Sequence, residues 1–209
     1  MDRNETDGVV HLLWVGIVIE ASLILVALVL ALWGLYDHRQ PLQKLNPSQS
    51  TQFIVWGIAA TIPLLVFLVV FHFFPFAALR PMREFCRLHL QPIFQGSSTA
   101  ELAILSILAG IGEELLFRWC LQGGISSLLE TRAGMGASMI IGLMVASILF
   151  GLCHWVNAGY GIMTMTAGAY FGLVMIGTGS WLVPAVAHAL YDFVALLYIV
   201  RMDVGRDDD

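Results

Sequence analysis

The chain has 209 residues, 58% hydrophobic and 12% charged, with a formal net charge of −5. Soluble domains carry about 25% charged residues, so this composition, with a mean hydropathy of +0.82, excludes a water-soluble domain and predicts an all-α, polytopic membrane helix bundle. The length suits one integral membrane domain over residues 1–209, and no basic patch offers a surface for nucleic acid.

Three cysteines, Cys86, Cys120 and Cys153, form no C-x-x-C pair and read as free thiols. The N-terminus does not read as a cleavable signal, because its apolar run is far longer than a signal core.

About six transmembrane helices are expected. A polar tail, 1–10, leads to a first span over 11–36. That span carries Glu20, either a polar group bonding a neighbouring helix or a contact to a functional site. Residues 37–50 read as a loop with Arg39, Pro41, Lys44 and Pro47. A second span comes next, over 51–76, with Pro63 inside it and His72 near its end. In 77–96, Arg80, Arg83 and Arg87 recur at three- to four-residue spacing among apolar residues, the pattern of an amphipathic helix lying on the membrane.

Ser98-Thr-Ala-Glu101 is a capping box that opens a third helix running to about residue 129. A fourth span covers 135–155, with Phe150 and His154 four apart on one face. Residues 157–161 read as a turn. The fifth span, 162–176, contains Gly168-x-x-x-Gly172, a close-packing signal. Gly177-Thr-Gly-Ser180 is a tight turn, and the last span, 181–200, sets His188 and Asp192 four apart. With six spans, both termini and the Arg80–Arg87 stretch share one side and carry six Lys or Arg, against three on the other. The positive-inside rule then puts both ends in the cytoplasm.

The third helix holds Ala109-Gly-Ile-Gly-Glu-Glu-Leu-Leu-Phe-Arg-Trp-Cys-Leu121. Each of its three charges, Glu113, Glu114 and Arg118, costs about 2.5–3.5 kcal/mol to insert at mid-membrane, so each needs a partner or a function. Glu114 and Arg118 are four apart with the acid first, the favourable order for a helical ion pair. Glu113 is rotated by roughly 100° from Glu114 and is left over, a buried carboxylate suited to general-base work. With His154, His188 and Asp192 on later helices, these groups suit an acid–base site in a bundle core. Glu113, His154 and His188 would equally supply three ligands to a catalytic Zn2+ with a fourth position for water. The same groups can also activate water without a metal.

In chain order, Glu113-Glu-Leu-Leu-Phe-Arg118 matches E-E-x-x-x-R, Phe150-Gly-Leu-Cys-His154 matches F-x-x-x-H, and His188-Ala-Leu-Tyr-Asp192 matches H-x-x-x-N/D. Together they resemble the CPBP family of intramembrane endopeptidases, the CAAX prenyl proteases and bacteriocin-processing (Abi) proteins. The resemblance covers about 98–195.

It implies a catalytic bundle in 98–200, behind two N-terminal spans and a basic connector in 11–97, with the site inside the four C-terminal helices. It further implies a multi-pass protein of a bacterial inner membrane, with a membrane-associated peptide or protein as substrate and the lipid bilayer as its surroundings. Glu113 would be the catalytic carboxylate and His154 its helper in activating water. His188 and Asp192 would bind metal or support the oxyanion, and Glu114, Arg118 and Phe150 would support the site. A metallo- and a glutamate-type mechanism both stay open.

Two positions depart from the family pattern. Trp119 stands where the family often has Gly, bulk that would narrow a substrate path. Asp192 stands where the prenyl-protein enzymes have Asn, and an ionised Asp accepts but does not donate a hydrogen bond. The alternatives to a protease are a non-catalytic membrane scaffold or immunity protein, and a small proton-coupled transporter using Glu20, Glu113 and the histidines.

Overall fold

The protein is described by a computed structural model covering residues 3–39, 47–74 and 80–201. Pro41 and Lys44 of the expected first loop, residues 77–79 of the basic stretch and the terminal Asp207, Asp208 and Asp209 lie outside the described residues. Among the described residues every regular element is helical.

Helix α1 (Arg3–Leu32) and α2 (Pro47–Phe73) precede a short run of α3 (Arg80–Phe85), a π-helical stretch (Cys86–Leu90) and α4 (Gln91–Phe94). Helix α5 (Thr99–Glu114) passes without a break through π-helical Leu115–Gln122 into α6 (Gly123–Ala133). Three long helices complete the chain: α7 (Met135–Cys153), α8 (Ala158–Thr178) and α9 (Leu182–Val200).

Five helices, α1, α2, α7, α8 and α9, contain stretches long and apolar enough to cross a membrane. The expected third helix differs in kind. Its α-helical parts have 16 and 11 residues and are separated by eight π-helical ones. It is also the most deeply covered run, packed by α5 on α1 and α9 and by the π-helical segment on α7 and α1. The helices around it turn large apolar side chains outward, Val18 at 65% and Leu32 at 85% exposure, a surface that suits lipid rather than water.

Several boundaries move for local reasons. Helix α1 starts at Arg3, inside the expected polar tail. The expected turn at 157–161 is instead a helix start: Asn157 Oδ1 accepts from the Tyr160 amide at 2.9 Å, so Ala158 begins α8. That helix ends at Gly179, whose φ of 68° supplies the left-handed residue a helix stop favours. The capping box at Ser98 forms: the Glu101 amide donates to Ser98 Oγ at 3.3 Å and the Ser98 amide to Glu101 Oε2 at 2.8 Å.

The basic stretch is anchored as well as helical. Arg83 donates to the carbonyls of Phe71 and Phe74, where α2 runs out of internal partners, and lies 5.2 Å over the Phe71 ring.

The loop after α1 is docked, not free. Asp37 is 1% exposed, its amide donates to the Trp119 carbonyl at 2.9 Å, and Arg39 Nε donates to its carboxylate at 2.8 Å. Trp119 accordingly points into the core. It is buried with Ala27, Leu115, Cys120, Met175, Trp181 and Ala185 and lies 5.1 Å from the Tyr36 ring. Its bulk fills the seam against α1 and the adjoining loop, which corrects the expectation that it narrows a substrate path.

Helices α5 and α9 meet backbone to backbone at Gly110. A Cβ there would stand 2.6 Å from the Ala185 carbonyl oxygen and 2.7 Å from the Ala189 Cβ. Gly110→Val should therefore cost about 1–3 kcal/mol through overpacking. Gly136→Ala, whose Cβ would meet nothing within 4 Å, should stay within about 0.5 kcal/mol of wild type. Thermal denaturation of the two variants in detergent checks the contrast.

Candidate active site

The charged residues of α5 and the π-helical segment sort into two separate arrangements. Glu114 is fully buried and held from two sides: Arg118 Nε donates to its Oε2 at 2.9 Å, and His188 Nδ1 lies 2.9 Å from its Oε1. The ion pair expected from the four-residue spacing is thus formed, in a setting with 0% exposure for both side chains. Arg118 also donates from Nη1 to Gln122 Oε1 at 3.4 Å, and Gln122 Nε2 donates to the Gly172 carbonyl at 3.0 Å. Gln122, 2% exposed, lies outside the three sequence motifs, although it continues the four-residue series Glu114, Arg118, Gln122.

Glycines on α8 admit this chain of polar groups. A Cβ at Gly168 would lie 3.2 Å from Phe150 and 3.3 Å from Arg118 Nη2, and one at Gly172 would lie 2.5 Å from Gln122 Oε1. The Gly168-x-x-x-Gly172 pair therefore lets α8 approach both α7 and the guanidinium. Phe150, 3% exposed, forms an aromatic floor beneath the site. Its ring lies 5.0 Å from Phe117, 4.6 Å from His154 and 6.0 Å from His188, with the Arg118 guanidinium 5.3 Å above it.

Glu113 belongs to the second arrangement. Its Oε1 lies 3.7 Å from His154 Nε2, and its Oε2 is buried without a hydrogen-bond partner. His154 is the residue just past the end of α7, with φ −101° and ψ 18°. Its Nδ1 lies 2.8 Å from the Phe150 carbonyl, one of the oxygens a helix end leaves unpaired. A carbonyl can only accept, so Nδ1 carries a proton, and Nε2 is the ring atom turned to the Glu113 carboxylate.

His188 is stacked on Phe171 at 4.8 Å and joins Glu114 to Asp192. Nδ1 faces Glu114, and Nε2 lies 3.3 Å from Asp192 Oδ2, one turn on along α9. Both nitrogens meet acceptors, so the ring acts as a double donor.

The structure thus brings Glu113 to His154, and Glu114 to Arg118 and His188, with Asp192 on the far side of the imidazole. It does not gather Glu113, His154 and His188 around one point. Both ring nitrogens of His188 are taken by carboxylates. Among the described residues, no group of three or more His, Cys, Asp or Glu has the spacing of a metal site. The expected Zn2+ ligand trio does not fit this geometry, and the chemistry proposed for the site runs through no metal.

Exposure is graded across the site. The Glu114 side chain is at 0%, Glu113 at 8%, His154 at 29% and Asp192 at 30%. The brace lies inside, and the more exposed edge carries His154 and Asp192. Removing one partner of a buried ion pair leaves the other charge stranded. Glu114→Gln should cost about 3–5 kcal/mol, and Glu114→Gln with Arg118→Gln should cost much less than the sum of the two single changes. A double-mutant cycle on unfolding in detergent measures this coupling.

The family described as type II CAAX prenyl endopeptidase, Rce1-like, matches residues 95–194. No curated protein and no solved structure matches the chain. The match takes in α5, the π-helical segment, α6, α7, α8 and most of α9, and with them Glu113, Glu114, Arg118, Phe150, His154, His188 and Asp192. Over these residues the protein, a multi-pass membrane helix bundle, belongs to the Rce1-like branch of the CPBP (CAAX protease) family.

Proposed function

We propose that the protein hydrolyses a peptide bond in a membrane-associated peptide or protein, with water activated by Glu113 and His154 and no metal in the step. The observation that carries this reading is the buried, partnerless Glu113 Oε2 beside His154, whose Nδ1 is held by the Phe150 carbonyl. Glu113 takes a proton from water as the water oxygen bonds to the scissile carbonyl carbon. The carbonyl electron pair moves onto oxygen, and His154 Nε2, facing Glu113 Oε1, orients the carboxylate that takes the proton. The oxyanion needs a donor. His188 Nε2 is suited to that role, because its 3.3 Å contact to Asp192 is longer than the usual 2.7–2.9 Å of a charge-assisted bond. When the carbon–nitrogen bond breaks, Glu113 returns its proton to the leaving amine. Asp192, as a carboxylate, keeps His188 oriented. We place this activity in a bacterial inner membrane.

The test uses purified protein in lipid vesicles with a fluorogenic peptide library, assayed with and without a chelator. Glu113→Gln should lower kcat by about 10²–10⁴-fold at unchanged thermal stability, and wild-type cleavage should survive chelation. Full activity of Glu113→Gln, or activity lost on chelation and restored by zinc, would overturn the mechanism.

A further inference from the structure

Among the described residues, Glu20 is an intramembrane carboxylate that the proposed chemistry leaves without work. It lies on α1, well outside residues 95–194 that match the family. Helix α1 packs on α5 so closely that a Cβ on Gly112 would stand 2.7 Å from the Glu20 carbonyl oxygen. This contact sets position 20 beside position 113. The Glu20 side chain is accordingly an electrostatic neighbour of Glu113, His188, Asp192 and His154 together.

The hydrogen-bond accounting is incomplete at two atoms here. Glu20 Oε2 and Glu113 Oε2 are both buried, and neither has a partner. A buried polar oxygen without a donor is costly. Neither histidine donates to either of these oxygens. His154 Nδ1–H is committed to the Phe150 carbonyl, and His188 faces Glu114 and Asp192. One molecule with two hydrogens can serve both oxygens, and the proposed reaction supplies such a molecule, its nucleophilic water.

We infer that Glu20 is a further catalytic residue of the site: its Oε2 accepts one hydrogen of the attacking water while Glu113 Oε2 accepts the other. The inference rests on the endopeptidase reading. In the step, the hydrogen facing Glu113 is transferred as the water oxygen bonds to the carbonyl carbon. The hydrogen facing Glu20 stays on the nucleophile. Glu20 neither gains nor loses a proton, and its contribution is to hold the water's lone pair toward the substrate. A catalytic bundle shared across the family thus takes one acceptor from a helix that lies outside the family match.

The test compares wild type, Glu20→Leu, Glu20→Gln and Glu113→Gln in the same vesicles, with the fluorogenic peptide that wild type cleaves best. Thermal midpoints are measured alongside. Glu20→Leu should lower kcat by about 10²-fold, the cost of a misplaced reactant. KM should stay within about threefold and the thermal midpoint should not fall, because the change removes an unsatisfied buried oxygen. Glu20→Gln, which keeps an acceptor oxygen at the same length, should recover much of the lost rate. Unchanged kcat in Glu20→Leu beside an inactive Glu113→Gln would overturn the role of Glu20 alone. A drop in rate that only tracks a drop in thermal midpoint would do the same. Full activity in Glu113→Gln would overturn the endopeptidase mechanism, and this inference with it.

Discussion

The Glu114 carboxylate is the point on which the other polar contacts of the core depend. It is completely removed from solvent, and it takes Arg118 from its own helical run and His188 from α9. A charge in that position is tolerable only with its hydrogen-bond capacity filled. Two strong donors on its two oxygens meet that condition. The same contacts join the π-helical segment to α9, so the positions of Glu113 and His188 relative to each other are set by the pairing of Glu114. Neutralising the inner carboxylate in this way also leaves Arg118 and His188 committed, and Glu113 with His154 as its neighbour at 3.7 Å.

Burying a guanidinium, an amide and two rings between helices requires space that ordinary side chains would occupy. The chain provides it with glycines at the crossings, Gly110 against α9 and Gly168 and Gly172 against α7 and the polar chain. It also provides it with eight π-helical residues directly after Glu114. Wide helical turns of this kind are rare and occur mostly where a site is built. Here they carry Arg118, Trp119 and Gln122, which reach three different neighbours: Glu114, the α1 seam and the α8 backbone.

Much of this is legible in the sequence, because a membrane core makes every charge conspicuous. Apolar length locates the long helices, and the four-residue spacing of Glu114 and Arg118 identifies a pair that is formed. Ser98 and Glu101 declare a helix start. The features the sequence hides have physical causes. Nothing in Leu-Leu-Phe-Arg-Trp-Cys-Leu-Gln signals a π-helix, since the same residues suit an α-helix. The bond from His188 to Glu114 joins residues 74 apart, and no local period encodes it. Asn157 suits a turn and a helix cap equally, and the choice rests on whether Ala158 and its successors wind into a helix. Trp119 beside Arg118 reads as an obstacle in a path until Tyr36 and α1 are seen to cover it.

The contrast between two adjacent glutamates is therefore decided by geometry, not by residue type. Glu114 has a donor for each oxygen and is fully enclosed. Glu113, one position earlier, has the His154 imidazole at 3.7 Å, an unsatisfied oxygen and slight exposure. A closed pair holds structure, because opening it strands a charge. A carboxylate with an unsatisfied oxygen and slight exposure stays free to exchange a proton with whatever reaches it. The graded exposure from Glu114 outward to His154 and Asp192 orders these tasks along one direction. Under the proposed chemistry a peptide approaches along the same direction and meets the acceptor before the brace. In that chemistry, placing the rigid pair innermost lets Glu113 change partners without loosening the bundle.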